Sequence, residues 1–192
     1  TSLTSAFNTA GPIYQVSAKI FDGLVDYDFD FNMTPQLATS WEIASDWMTM
    51  TFRLREGVTW HDGKPFTSAD VAWSAMNVWK SLHPRGRSTF ESLVAVDTPD
   101  ELTVVFRFDK PSPVVGKALH SAESQILPKH LYEGTDVAKN PYNTAPVGTG
   151  PYRFVAWERG SHVELEKYAD YWDAANVSVE RVIVRTIPDA SA

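Results

Sequence analysis

Apolar and polar positions alternate most cleanly between residues 35 and 73. Met50, Phe52 and Leu54 fall on one side of a period-two run, and Thr49, Thr51, Arg53 and Arg55 fall on the other, which predicts a strand with one buried face. Trp41 and Ile43 open a preceding strand, with a turn at Asp46 between the two. Glu56-Gly57 turns the chain, Val58 and Trp60 resume the alternation, and Asp62-Gly63 turns it again. Thr67 then stands as an N-cap with Asp70 three residues on, a capping-box start. The spacing predicts a helix over residues 68–82, with Val71, Ala75, Val78 and Leu82 on its buried face, ended by Pro84 and Gly86.

The same rules carry through the rest of the chain. Gly11-Pro12 opens a helix whose Ile13, Val16, Ile20 and Leu24 share a face, with Gly23 as its stop. Residues 6–10 lead into that helix N-terminus. Such a loop can offer backbone N–H groups to an anionic or carbonyl ligand, or it can be an ordinary capped loop. Residues 25–31 are a strand end and turn. A hairpin is expected from 93–96 and 102–108 across Thr98-Pro99-Asp100, and Ser112-Pro113 starts a short helix with Val114, Val115, Ala118 and Leu119. Residues 126–131 lead into another helical turn, and 133–146 are a polar surface crossing. A second hairpin pairs 152–157 with 162–167 across Arg159-Gly160. Residues 179–187 are apolar enough to predict a closing strand buried on both faces.

Composition narrows the function. With 192 residues, 43% of them hydrophobic and 7 tryptophans, the chain is globular. Its net charge of -7 argues against nucleic acid and anionic membrane as partners. There are no cysteines, hence no disulfide or thiolate chemistry. No apolar run has the length of a membrane span, and no leader peptide opens the chain; both ends read as cut ends, with any signal peptide removed.

Candidate chemistry is sparse. His61, His83, His120, His130 and His162 show no metal-ligand spacing, and no nucleophile elbow is present, so no catalytic residue, metal or cofactor is assigned. The Asp62-Gly63 turn accounts for Asp62 beside His61. Gly148-Thr149-Gly150 lacks the lysine and following helix of a phosphate loop, and is read as a tight turn before a strand. Trp41, Trp60, Trp73 and Trp79 are assigned to packing, and Glu158, Glu164 and Glu166 to a solvated strand face. On residue chemistry alone the chain is a binding or structural protein and not an enzyme.

PQLATSWEI followed by TFRLREGVTWHDGKPFTSADVAWS resembles the signature region of the extracytoplasmic solute-binding proteins of the peptide/nickel/opine family, which serve ABC importers. IFDGLVDYD, ILPKHLYEG, GTGPYRFVAWERGSHVELEKYADYW and VIVRTIPDASA resemble further family segments, in family order. The resemblance implies a mixed α/β (α+β) fold, the first lobe of a two-lobed clamshell that closes on a ligand. Residues 1–33 and 146–192 are then the sheet core of that lobe, and 34–145 an extra subdomain. The second lobe is expected to be absent from the chain, which reads as a first-lobe fragment.

By the same resemblance, Phe7, Asn8, Thr9 and Ala10, in the loop before the first helix, and Ser124 and Gln125 are the ligand-binding residues this lobe supplies. The implied partners are a small solute, an oligopeptide or dipeptide, and the permease subunits of an ABC importer. The implied location is periplasmic, or membrane-anchored as a lipoprotein. A receptor for a nickel chelate, an opine or a sugar, and a sensor or interaction domain that transports nothing, are the alternatives. One lobe without its partner is expected to bind solute weakly or not at all.

Overall fold

Three antiparallel sheets follow one another along the chain in the computed structural model, which describes residues 2–185. The first is a small hairpin of β1 (Val25–Tyr27) and β2 (Met33–Pro35). The second is four-stranded, in the order β3 (Ala38–Ile43), β4 (Thr49–Leu54), β6 (Thr103–Phe108), β5 (Leu93–Asp100). The third joins β7 (Tyr152–Glu158), β8 (His162–Lys167) and β9 (Arg181–Arg185). α1 (Gly11–Ile20) precedes them all, with its proline in the first turn as expected.

Alternation places the core as the sequence predicts. Met50 and Phe52 are fully buried and Leu54 nearly so, while the paired β6 buries Val104, Phe106 and Phe108 on the same side. Trp79 stacks on Phe106 with centroids 6.1 Å apart, and Phe52 meets Phe106 edge-on at 5.7 Å. Trp60 and Trp79 are buried core residues, and Trp41 and Trp73 pack against that core half-buried.

α2 (Ser68–Ser74) begins with the expected capping box, in which the Thr67 N–H donates to the Asp70 carboxylate at 3.0 Å. The same carboxylate accepts from Lys129 N–H at 2.9 Å and the Trp60 indole at 3.4 Å. One aspartate thereby ties the start of α2 to α3 (Lys129–Tyr132) and to the core.

Four expectations need correction. The helix after Ser74 widens into a π-turn over Ala75–Trp79, and the extra residue per turn rotates Leu82 out of the buried face, to 38% exposure. α1 ends at Ile20 without Gly23, whose role is close packing: a Cβ there would lie 2.7 Å from the Ser121 nitrogen. β5 runs through Thr98 and Pro99 to Asp100, so the hairpin turns at Glu101-Leu102, and an irregularity in the pairing accommodates the proline. β9 is an alternating edge strand with Ile183 45% exposed, not one buried on both faces; residues 186 and 187 of the expected strand lie outside the described residues.

Two of the three glutamates read as a solvated strand face are more than solvated. Arg181 pairs with Glu164 and Arg153 with Glu166, each at 2.6 Å, across neighbouring strands.

Candidate functional site

The loop before α1 is held from below and open above. Gln125 is 1% exposed, and its side-chain carbonyl accepts from the Ala6 N–H at 3.1 Å and from the Thr4 hydroxyl, while its amide donates to Ser17 Oγ on α1. The Trp79 indole donates to the Gln125 main-chain carbonyl at 2.7 Å. Ser5 adds two ties, its N–H to Ser17 Oγ at 3.2 Å and its hydroxyl to the Ser121 carbonyl at 3.1 Å. Ser124 is fully buried, and its hydroxyl donates to the His120 carbonyl at 3.1 Å.

Of the six residues singled out in the sequence, four therefore form an outer layer and two an inner one. Phe7 is half-buried and Asn8, Thr9 and Ala10 are exposed, whereas Ser124 and Gln125 spend their side-chain bonds on the protein. Asn8 Oδ1 accepts from the Ala10 N–H at 2.9 Å and shapes the bend, and no side chain caps the first turn of α1. An open groove of about 390 Å³ runs beside Phe7 and Asn8, its far wall formed by Ala138, Lys139 and Pro141. Buried Asn143 underlies it and accepts from Leu3 N–H at 2.8 Å through its carbonyl. The exposed loop and the flanking Lys139, which pairs with Asp136 at 3.0 Å, leave the groove open to solvent and to a solute.

Two polar centres, one half-buried and one buried, brace this loop and helix, and sequence reasoning missed both. His61 donates through Nε2 to the Gly150 carbonyl at 2.9 Å and accepts at Nδ1 from the Gly148 N–H at 3.2 Å. Burial pushes its pKa down to about 4, which keeps the imidazole neutral, as those two opposite roles require. Gly150 N–H in turn caps the Ile20 carbonyl at 2.8 Å, and a Cβ at Gly148 would collide with that same carbonyl. The Gly148-Thr149-Gly150 turn is thus the seat for the C-terminus of α1.

Asp22, 2% exposed, accepts from the Trp172 indole at 3.0 Å, the Gln36 amide at 3.2 Å and the Tyr171 hydroxyl at 3.4 Å. Burial raises its pKa to about 7 against those donors and the nearby Arg55, whose guanidinium lies 3.8 Å above the Trp172 ring. Nothing in local pattern marks either centre, because each partner lies far along the chain.

The family of bacterial extracellular solute-binding proteins, family 5 (middle), matches residues 32–192. The chain belongs to that family. Among curated relatives, the glutathione-binding protein GsiB of Pectobacterium atrosepticum is 33% identical over 180 residues, covering 91% of this chain and 34% of that protein. Among solved structures, NikZ of Campylobacter jejuni in complex with Ni(L-His) superposes with a TM-score of 0.86 at 30% identity, over 100% of this chain and 38% of that one. The oligopeptide-binding protein AppA of Bacillus subtilis, in complex with a nonapeptide, gives 0.87 at 27% identity, over 100% and 38%. The mixed α/β fold is therefore that of part of a periplasmic binding protein, and the chain spans about a third of the length of these relatives. No helix among the described residues is long and apolar enough to cross a membrane.

Proposed function

We propose that this chain forms one lobe of an extracytoplasmic receptor that captures short peptides and delivers them to the permease of an ABC importer, without catalysing a reaction. The observation that carries this reading is the exposed loop of residues 8–10 at the uncapped start of α1, pinned from beneath by Gln125 and bordered by a groove of about 390 Å³. Its exposed residues contact the solute, and Ser124 and Gln125 act by holding the loop in place. Residues 34–145 contain the whole four-stranded sheet, while α1 packs against β7 and takes the Gly150 N–H, just before that strand, on its Ile20 carbonyl; this supports residues 1–33 and 146–192 as the lobe's core and 34–145 as an added subdomain.

Relatives named for glutathione and crystallised with a nonapeptide support a peptide as solute. The relative crystallised with Ni(L-His) supports a metal chelate as the second reading. Native mass spectrometry of the protein carrying this chain together with its second lobe separates the two. A co-purified peptide mass is expected, and a nickel chelate in its place overturns the peptide reading. Residues 1–192 alone are expected to bind peptides weakly in calorimetry, because a single wall leaves the solute wet. Tight one-to-one binding by this lobe overturns the two-wall argument.

A further inference from the structure

The turn between β1 and β2 is hydrogen-bonded and strained, and it leaves both its rings largely in solvent, Phe31 at the mouth of a cleft of about 230 Å³ that Lys117 and His120 also line. The Asp28 carboxylate accepts from the N–H groups of Asp30 and Asn32, each at 2.9 Å, and from the Asn32 side-chain amide at 3.1 Å. The Asp28 N–H donates to the Asn32 carbonyl and the Phe31 N–H to the Asp28 carbonyl, both at 3.0 Å. The turn is therefore built, and what it builds is unfavourable in isolation. Phe31 sits at φ 61, a region that bulky side chains avoid. Phe29 is 105% exposed and Phe31 76%, so neither ring gains burial for the strain.

Three occupants can be compared by chemistry. A small solute needs walls that exclude water, and a ring as exposed as Phe29 supplies none. An anionic membrane surface is repelled by Asp26, Asp28 and Asp30, which flank the two rings in a chain of net charge -7. A protein surface with an apolar recess rimmed by Lys and Arg satisfies both features, since it buries the rings and meets the carboxylates.

We infer that the Phe29–Phe31 turn is a docking knob that inserts into a basic-rimmed apolar recess of the cognate ABC permease. This rests on the importer reading proposed above. The rings supply the buried contact and Asp26 and Asp30 the steering charge, with Asp28 reserved for holding the turn.

The test uses the two-lobed protein and its importer in lipid nanodiscs, with binding read by interferometry across a salt series. Wild type is expected to bind, more weakly as salt rises. Phe29→Ser and Phe31→Gly are each expected to weaken binding about tenfold or more. Asp26→Asn with Asp30→Asn should flatten the salt dependence. Phe31→Gly relieves the left-handed strain, so its melting temperature is expected to hold or rise while docking is lost, which a merely structural role does not produce.

If wild type fails to bind the importer, the importer reading falls, and the inference with it. If wild type binds and the phenylalanine variants bind equally well, only the inference falls. Binding of wild type to empty anionic nanodiscs, lost in Phe29→Ser, would assign the knob to membrane instead. Phe29→Cys in the two-lobed protein can be labelled with a maleimide, the label at residue 29 being read by peptide mass spectrometry. Free reaction is expected, and protection would show that the second lobe already covers the turn and overturn the docking role.

Discussion

Trp47 and Phe31 are both aromatic residues held in the left-handed region, at φ 59 and φ 61, and the molecule treats them in opposite ways. At Trp47 the turn is knitted into the fold. Its N–H donates to the Ala44 carbonyl at 2.9 Å, its carbonyl accepts from Ser112 N–H at 3.1 Å, and its ring lies so close over Gly116 that a Cβ there would sit 3.1 Å from it. Strain of about 1–2 kcal/mol is offset there by packing. At Phe31 the backbone is bonded just as firmly, yet the ring remains in solvent. The lesson is that backbone strain alone does not say why a residue is kept; what its side chain touches does.

The carboxylates divide along the same line. Asp22 is buried among the side chains of Trp172, Gln36 and Tyr171, with its pKa driven up to about 7 by burial. Asp28 is exposed, and hydrogen bonds from Asn32 hold its pKa below the ordinary value of 3.8.

The largest expected effect is at the buried carboxylate. Because the folded pKa of Asp22 lies above the unfolded value, the folded state binds this proton more tightly. Its contribution to stability is fully present below about pH 4, declines as the pH rises to about 7, and levels off above that, a loss on the order of 3–4 kcal/mol. Urea titrations across that window should show the decline in wild type and a flatter curve in Asp22→Asn, which carries no charge at any pH. Equal slopes would mean that the donors around Asp22 keep it ionised throughout.

The aromatic pair comes next. Trp47→Gly removes a half-buried ring but also relieves the positive φ, leaving a net loss of about 1–2 kcal/mol. Phe31→Gly removes no packing and should gain up to about 1 kcal/mol. Opposite signs in urea denaturation are the expected outcome. If both substitutions stabilise, the packing of Trp47 on Gly116 does not offset its strain and the distinction between the two turns collapses.

Much of the fold was legible because it rests on local rules. Met50, Phe52 and Leu54 announce their buried face by alternation, Thr67 and Asp70 announce a helix start, and Gly57 and Gly63 take the positive φ their turns require. The errors share one cause, a tertiary contact overriding a local signal. Gly23 looks like a helix stop but is small because Ser121 presses on it, and Leu82 has the helical spacing for burial until the π-turn shifts its phase. The candidate site was legible only in its outer layer. That Gln125 ties Thr4, Ala6 and Ser17 together, or that His61 seats the Gly148-Thr149-Gly150 turn, depends on pairings across about a hundred residues that no local pattern carries.

The smallest effect separates the knob's frame from its rings. Asp28 contributes its turn-holding bonds as a carboxylate, and since its folded pKa is lowered, that contribution is present above the unfolded value of 3.8 and is lost as the pH falls through the folded one. In NMR, the Asp28 carboxyl of wild type should titrate below 3.8. The Asp30 and Asn32 amide protons, which donate to it, should lose protection, measured against the intrinsic exchange rate at the same pH, in Asp28→Ala and in wild type at low pH. Trp47, at its own turn, should show no change in Asp28→Ala, because Asp46 and not Asp28 accepts from the neighbouring Met48 N–H, at 2.9 Å. Protection at Asp30 and Asn32 indifferent to both the substitution and the acid would mean that the backbone holds Phe31 in its strained conformation without the carboxylate.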